Sequence, residues 1–325
     1  GRVGAASLAL IVAMTAVSGA LAVAGALALD AAGVAGAASG GALAASAPAA
    51  ATVPPFRDWL TGLVPANPVK AAADGALLPI VVFVVAFALA LGRGAAHTRQ
   101  AVIDVAQGVA DAMLTLVRGV LALAPVGVLA LALALAGRGG LHVATTLGAF
   151  LASACALIVL ATVLCWPVAS ALGGVPLGRF VRTCVGLYGV AVGTRSSLAC
   201  LPPMLDAAER RLGIPAEVAG LALPLGVSVF KYGAPIARIL GAWFVARLYG
   251  VHLDTGALVA MAAALSALSL YTPGVPSGGL LVGAPVFDAF GIPPAAIGLL
   301  IAVDIVPDMF ITMANVTADL TVTAV

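Results

Sequence analysis

Long apolar stretches are the feature of this sequence that most constrains its fold. A helix needs about 20 apolar residues, and no fewer than about 17, to cross a bilayer core of roughly 30 Å. Residues 5–29, 120–136 and 145–172 form stretches of that kind. Because 63% of the 325 residues are hydrophobic and 9% are charged, a water-soluble core cannot hide this much apolar surface. The sequence therefore predicts an all-α integral membrane protein, since helices satisfy their own backbone polar groups within lipid.

Charge, cysteines and motifs argue against several other classes of protein. The net charge of +2 is too small to indicate nucleic acid as a partner, so membrane lipid and a small-molecule substrate remain. No Ser/His pairing supports Ser196 or Ser197 as a nucleophile, and no GxGD motif supports Asp304 with Asp308 as an aspartyl pair. We therefore predict that the protein is not an enzyme. The four cysteines have no metal-ligand spacing and are interpreted as buried small residues: Cys155, Cys165, Cys184 and Cys200.

The residue pattern changes from residue 175 onward, where the apolar segments are shorter and contain Gly, Pro, Ser and charged residues in their middles. VGLYGVAVGTRSSLACLPPML predicts a helical hairpin with TRSS at its tip, and the segment around FKYGAP predicts a broken helix. LSLYTPGVPSGGLLV predicts a second hairpin, followed by an apolar segment that breaks into DMFITMANVTADL. A hairpin followed by a broken helix, occurring twice, indicates a transporter built from structural repeats with its site near the membrane midplane.

These motifs resemble the glutamate transporter homologue family, also called dicarboxylate/amino acid:cation symporters. The resemblance is carried by TRSS with the following LP, by GVP in GVPSGG, and by DM-TM-NVT-DLT-TA at residues 308–324. LVPANPVKAAADGALLPIVVF and LALAPVGVLAL look like the fourth and fifth helices of the family. GRVG would open the third helix, so we expect the first two helices to be absent from this chain.

The resemblance implies an elevator-type transporter that assembles as a homotrimer, with two inverted-repeat re-entrant hairpins and two broken helices. Residues 1–32 would be the third helix, in the transport domain, and residues 33–137 a loop with the fourth and fifth helices of the trimeric scaffold. Residues 138–325 would complete the transport domain with the sixth helix, hairpin 1 (about 177–212), broken helix 7 (about 216–250), hairpin 2 (about 255–290) and broken helix 8 (about 293–325). The composition, rich in Ala, Arg and Gly and poor in Lys, predicts a bacterial protein of the inner membrane.

The resemblance also assigns a substrate site between the hairpin tips. Asp308 matches the aspartate that binds the substrate ammonium, and Asn315 matches the asparagine that binds its carboxylate. Seven residues apart, the two share one helical face, and buried polar groups at membrane depth are costly unless they are used. The remaining positions of the cradle come from helix 8 and the two hairpin tips: Thr312, Ser196, Ser197, Gly274, Val275 and Pro276.

Two departures from the family pattern bear on the substrate. Ile311 stands where the family has the arginine that binds an acidic side chain, and Ala234 replaces its helper threonine. Because neither offers a donor to a carboxylate, the sequence predicts a small neutral amino acid. Arg195 in hairpin 1 keeps acidic amino acids and dicarboxylates as an alternative, although we favour pairing of Arg195 with Asp304.

A lysine replaces part of the family's sodium site. The family motif Asn-Met-Asp-Gly-Thr reads here as residues 230–234, FKYGA, so both oxygen-bearing sodium ligands are lost. We predict that the Lys231 ammonium lies where a sodium ion would and neutralises Asp319 or Asp308, which makes transport weakly coupled to sodium or independent of it. A Lys/Asp pair that takes up a proton, or a Lys231 that reaches an aqueous cavity in a degenerate non-coupled paralogue, are the alternatives. No organic cofactor is expected, and the oxygens left for a cation belong to Gly226, Ser228, Ser269, Thr272, Asn315 and Asp319.

Overall fold

The computed structural model describes residues 2–33, 64–73, 77–122, 124–270 and 278–325, and within these ranges the chain is helical with no β-strand. It divides into two compact units, one formed by Gly1–Ala51 with Leu131–Val325 and the other by Thr52–Ala130. The helices of the first half are α1 (Arg2–Ala31), α2 (Pro68–Ala73), α3 (Leu77–Gly92), α4 (Ala96–Ala122) and α5 (Ala124–Gly173). Those of the second half are α6 (Leu177–Thr194), α7 (Leu201–Ala207), α8 (Ala216–Val229), α9 (Ala234–Leu248), α10 (Thr255–Ser269), α11 (Gly278–Ala289), α12 (Pro294–Val303) and α13 (Ile305–Ala324).

The apolar helices confirm an integral membrane protein. Among the described residues, three helical stretches are long and apolar enough to cross a membrane: Gly4–Ala31, Leu147–Gly173 and Ala216–Leu248. Ala296–Val303 and Ile305–Ala324 pass the same test together, with a bend of 69° between them. In the larger unit, α1 packs against α9 and α10, and α13 packs against α6 and α8.

One predicted connection is wrong. The apolar stretches 120–136 and 145–172 predict two separate helices, but α5 runs without interruption through residues 137–140. That segment, GRGG, contains no proline, and a glycine costs a helix about 1 kcal/mol without removing a hydrogen bond. The predicted loop after residue 33 lies outside the described residues, apart from its ends.

Two interruptions divide the C-terminal helices. Between α8 and α9 the backbone of Phe230 is extended, and α9 restarts with Pro235 in its first turn, where the missing N–H costs nothing. The interruption between α12 and α13 lies at Asp304, four residues before the position expected from the sequence. Pro307 accounts for this, because it has no N–H to donate to the carbonyl of Val303 and its ring crowds that carbonyl.

Of the two predicted hairpin tips, the first lies within the described residues. α6 ends at Thr194, and Arg195 follows with a φ of 49°, the sole non-glycine residue with a positive φ in the described part of the chain. Its N–H donates to the Ala191 carbonyl at 2.9 Å, so Arg195 ends the helix in the left-handed conformation. α7 then continues as a π-helical turn to Leu212. The tip between α10 and α11 falls in residues 271–277, outside the described residues.

Gly233 lets the interruption of α8 and α9 lie directly against α13. A Cβ at Gly233 would lie 3.0 Å from the Ile311 Cα and 3.0 Å from the Ala314 Cβ. We expect Gly233→Ala to lower the free energy of unfolding by about 1–3 kcal/mol, because backbone on the other side must move. Unfolding of the detergent-solubilised protein would measure it. Gly220→Ala in α8 is the control, since a Cβ there meets nothing within 4 Å, and equal destabilisation by both changes would contradict the prediction.

Candidate functional site

One cavity in the larger unit gathers residues that are far apart in the sequence. Its volume is about 60 Å³, and its walls come from α5, the end of α6, the α8–α9 interruption and helices α9, α11, α12 and α13. Eight positions predicted for the substrate or cation site lie on its wall: Arg195, Ser197, Lys231, Ala234, Asp308, Ile311, Thr312 and Asn315. The cavity is therefore the candidate binding site.

Asn315 joins three parts of this wall. It is 3% exposed, and its side-chain oxygen accepts a hydrogen bond from the Gly233 N–H at 2.9 Å. Its amide nitrogen donates to the Ser197 hydroxyl oxygen over 3.5 Å, which is the long limit of a hydrogen bond. The oxygen thus holds the interruption of α8 and α9 to α13, and the amide N–H₂ is the end that a substrate carboxylate can engage.

Asp308 lies in the first turn of α13, where the helix dipole favours a negative charge. An Arg195 guanidinium nitrogen is 3.9 Å from an Asp308 carboxylate oxygen, so the ion-pair partner of Arg195 is Asp308, whereas the sequence analysis favoured Asp304. The left-handed backbone of Arg195 explains the difference, since it sets the direction of the side chain at the end of α6. At 3.9 Å the pair is an ion pair without a direct hydrogen bond between the two side chains.

Ile311 and Ala234 form an apolar part of the wall. Gly233, the neighbour of Ala234, packs against the backbone of Ile311, which brings the two elements together. Thr312 donates its hydroxyl proton to the Asp308 carbonyl at 2.8 Å, inside its own helix, so its oxygen remains as an acceptor. A side chain placed between Ile311 and Ala234 meets no hydrogen-bond donor from either residue.

Lys231 is buried, 3% exposed, at the interruption itself. Its ammonium donates a hydrogen bond to the carbonyl of Val227, in the last turn of α8. This geometry differs from the predicted contact: Lys231 has no ion pair within 4 Å with Asp319 or Asp308, although its charge interacts electrostatically with Asp319 and Arg238. The physical reason is that the last carbonyls of a helix lack backbone partners and attract a nearby ammonium.

Asp319 is buried beside the same interruption. It is 1% exposed, and neither carboxylate oxygen has a hydrogen-bond partner among the described residues. A Cβ on Gly226 would lie 2.6 Å from one of these oxygens, so the carboxylate rests on the Gly226 backbone of α8. The structure therefore brings together Asp319 and Gly226, two of the positions predicted for a cation.

The remaining predicted site positions either lie away from the cavity and Asp319 or fall outside the described residues. The Ser228 side chain is exposed and donates to the Pro224 carbonyl at 2.7 Å. Ser269 is buried, and its hydroxyl donates to the Ser266 carbonyl at 2.7 Å. Ser196 does not line the cavity, and its hydroxyl accepts a hydrogen bond from the Ala199 N–H at 3.3 Å. Residues 271–277 include the other four positions, which lie outside the described residues: Thr272, Gly274, Val275 and Pro276.

Sequence reasoning missed Arg238 as a cavity residue and assigned Asp304 only as a partner. Both are buried, at 6% and 8% exposure, and both line the cavity. Their spacing was a usable signal, because Arg238 is one helical turn after Ala234 and Asp304 is one turn before Asp308. A charged residue inside an apolar stretch such as PIARILGAWF is also rare at membrane depth unless it has a function.

The charged groups at and beside the cavity balance. Three are cations and three are carboxylates, so their formal charges cancel: Arg195, Lys231 and Arg238 against Asp304, Asp308 and Asp319. Five of the six line the cavity, and Asp319 is linked to them through its electrostatic interaction with Lys231. The cavity wall itself therefore carries three cations and two carboxylates, and the six groups together, with Asp319 included, carry no net formal charge.

Relatives of known function match this chain. Neutral amino acid transporter A of Homo sapiens is 33% identical over 141 residues, which are 43% of this chain and 26% of that protein. The proton/glutamate-aspartate symporter of Escherichia coli K12 is 27% identical over 257 residues, 79% of this chain and 59% of that protein. The proton/sodium-glutamate symport protein of Bacillus subtilis 168 is 24% identical over the same shares.

The family itself follows from a match of the entire chain. The aligned part spans at most 59% of the length of these relatives. Residues 1–325 match the sequence model that defines the sodium:dicarboxylate symporter family, a family of transporters. The resemblance inferred from the TRSS, GVP and DM-TM-NVT-DLT-TA motifs is thereby confirmed. The chain belongs to the sodium:dicarboxylate symporter family.

Proposed function

We propose that this chain is part of a secondary active transporter that carries a small neutral amino acid with weak or absent sodium coupling. The observation that supports this most directly is the balance of three cations and three carboxylates, five of which line the cavity while Asp319 lies beside it. An uncompensated charge at membrane depth costs several kcal/mol or more. A neutral amino acid is a zwitterion, so its binding adds no net charge to the six charged groups and requires no accompanying cation.

The wall of the cavity suits each part of such a substrate. The Asp308 carboxylate and the Thr312 hydroxyl oxygen receive the ammonium, and the Asn315 amide and the Ser197 hydroxyl receive the carboxylate. The substrate side chain then lies between Ile311 and Ala234, which supply apolar contact. The neutral amino acid transporter named above, which matches 43% of the chain, supports this assignment.

The family implies how the two units contribute to transport. We propose that the larger unit is the transport domain, with re-entrant hairpins formed by α6–α7 and α10–α11, and that the smaller unit belongs to the scaffold of a homotrimer. In this elevator mechanism the larger unit carries the site across the membrane. The bacterial symporters among the relatives support a bacterial inner membrane as the location.

Symport of an acidic amino acid or dicarboxylate with a proton or sodium ion is the second candidate. Arg195 and Arg238 both line the cavity and can bind a carboxylate, and the two bacterial relatives are named for glutamate. An acidic amino acid adds one negative charge to the balanced set. This candidate therefore requires at least one accompanying cation, whereas the first requires none.

Uptake into liposomes separates the two candidates. The full-length parent protein is reconstituted and offered labelled alanine, serine, asparagine, aspartate, glutamate and succinate, with and without a sodium gradient and a membrane potential. We expect uptake of a neutral amino acid that changes less than about twofold with either gradient, because the loaded site carries no net charge. Aspartate uptake driven by sodium or protons would contradict the proposal, and no uptake of any substrate would also contradict it and favour a degenerate paralogue that does not transport.

A further inference from the structure

We propose that Arg238 determines substrate specificity by donating hydrogen bonds to an oxygen at the end of the substrate side chain. The preferred substrates are then neutral amino acids that carry an amide or hydroxyl oxygen, rather than purely aliphatic ones. This inference rests on the proposed function, because it concerns the far end of the same cavity.

The position of Arg238 on α9 places it beyond the apolar part of the wall. Ala234 and Arg238 are four residues apart, so they lie one above the other on the same helix face. Both line the cavity, and Ala234 is the nearer of the two to the α8–α9 interruption, where Asn315 is bonded to Gly233. A side chain that passes Ala234 and Ile311 therefore points toward the guanidinium.

A glycine on α11 makes room for this guanidinium. A Cβ on Gly279 would lie 1.5 Å from one terminal nitrogen of Arg238 and 2.2 Å from its Cζ atom. The guanidinium thus occupies the space that a side chain at position 279 would fill. Gly279 itself lines the cavity, so the start of α11 fixes where the donors lie within the site.

The chemistry of a buried guanidinium selects for acceptors. It carries five N–H donors and no acceptor, so it can serve a protein partner and a substrate oxygen together. Among the other wall residues, Leu300, Val303 and Ile311 offer no acceptor from their side chains, whereas Asp304 and Asp308 do. An aliphatic substrate displaces water from these donors without replacing its hydrogen bonds, which lowers affinity. A side-chain carboxylate would also bind the donors but would add a charge to the balanced set.

Competition between isosteric amino acids measures this preference. The pairs are threonine against valine and asparagine against leucine, tested in liposomes that hold the full-length protein. We expect the wild type to prefer the oxygen-bearing member by roughly 10- to 100-fold, the range of a hydrogen bond to a charged group. In Arg238→Met combined with Asp304→Asn, which keeps the charges balanced, the ratio should fall to within about threefold of unity.

A second variant moves the guanidinium without removing it. Gly279→Ala forces only the flexible end of Arg238 to shift, so we expect a folded protein with a ratio between those of the wild type and the double variant. Gly220→Ala, which meets no neighbour, should retain the wild-type ratio. A ratio near unity in the wild type, or an unchanged ratio in the double variant, would overturn the role of Arg238. Transport of aspartate with no transport of any neutral amino acid would instead overturn the proposed function.

Discussion

Replacing Asp308 with asparagine is expected to reduce amino acid uptake at least about 100-fold. The change keeps the shape of the side chain and removes the one charge that faces the substrate ammonium in the proposed pose. Removing one partner of a buried charge pair costs about 3–5 kcal/mol, and each 1.4 kcal/mol corresponds to a factor of ten. Arg195, 3.9 Å from Asp308, would also lose the carboxylate it pairs with.

Glu209→Gln provides the matched control for that experiment. It removes the same charge from an exposed position in the π-helical turn after α7, so uptake should stay within about twofold of wild type. Initial rates over a range of substrate concentrations, with the elution volume of each variant as a test of folding, would compare the two. Uptake by Asp308→Asn within threefold of wild type would exclude Asp308 as the ammonium partner.

The interruptions of the C-terminal helices could be predicted because their causes are local. Pro235 and Gly233 mark the first, and Pro307 explains why the second lies at Asp304 rather than at Asp308. The continuity of α5 through residues 137–140 could not be predicted in the same way, because two conflicting local preferences meet there. Glycine disfavours a helix, but the apolar residues on either side favour one, and the hydrogen bonds of a continuous helix compensate for the difference.

In the candidate site too, features set by local sequence could be predicted, whereas features set by packing between distant residues could not. The shared face of Asp308, Thr312 and Asn315 follows from helical spacing, and family motifs connected it to Ser197. The direction of the Lys231 ammonium could not be predicted from helical spacing or from the family motifs. Its flexible stem lets it reach either the Val227 carbonyl or a carboxylate, and only the packed structure places the carbonyl nearer. Arg238 was missed because no family motif includes it, although its spacing from Ala234 would have sufficed.

The balance of charges around Lys231 and Asp319 bears on whether transport requires sodium. The family name refers to sodium, yet the positions that the resemblance assigns to the seventh-helix sodium ligands carry Phe230 and Tyr232, with Lys231 between them. In the proposed function the Lys231 ammonium balances Asp319 in every stage of the cycle, because it is covalently attached and cannot leave with the substrate. Such a carrier would need no sodium for neutrality, so its uptake would not depend on a sodium gradient.

Replacing Lys231 with methionine tests this argument directly. Methionine retains the length and apolar stem of lysine but removes the ammonium, which leaves the three buried carboxylates opposed by two cations. We expect sodium-free uptake to fall about 10- to 100-fold, corresponding to roughly 1.4–2.8 kcal/mol of uncompensated charge that relaxes partly through water. Sodium should then stimulate the remaining uptake, because a mobile cation can replace the missing charge beside Asp319.

A charge-balanced double variant separates this effect from lost packing. Combining Lys231→Met with Asp319→Asn removes one charge of each sign, so it should recover at least part of the sodium-free uptake and lose the stimulation by sodium. Lys70→Met, the same change at the exposed lysine in α2, should leave uptake within about twofold of wild type. Sodium-independent uptake at the wild-type rate in Lys231→Met would show that the ammonium does not balance the site, and Lys231 would then serve only to hold the carbonyl end of α8.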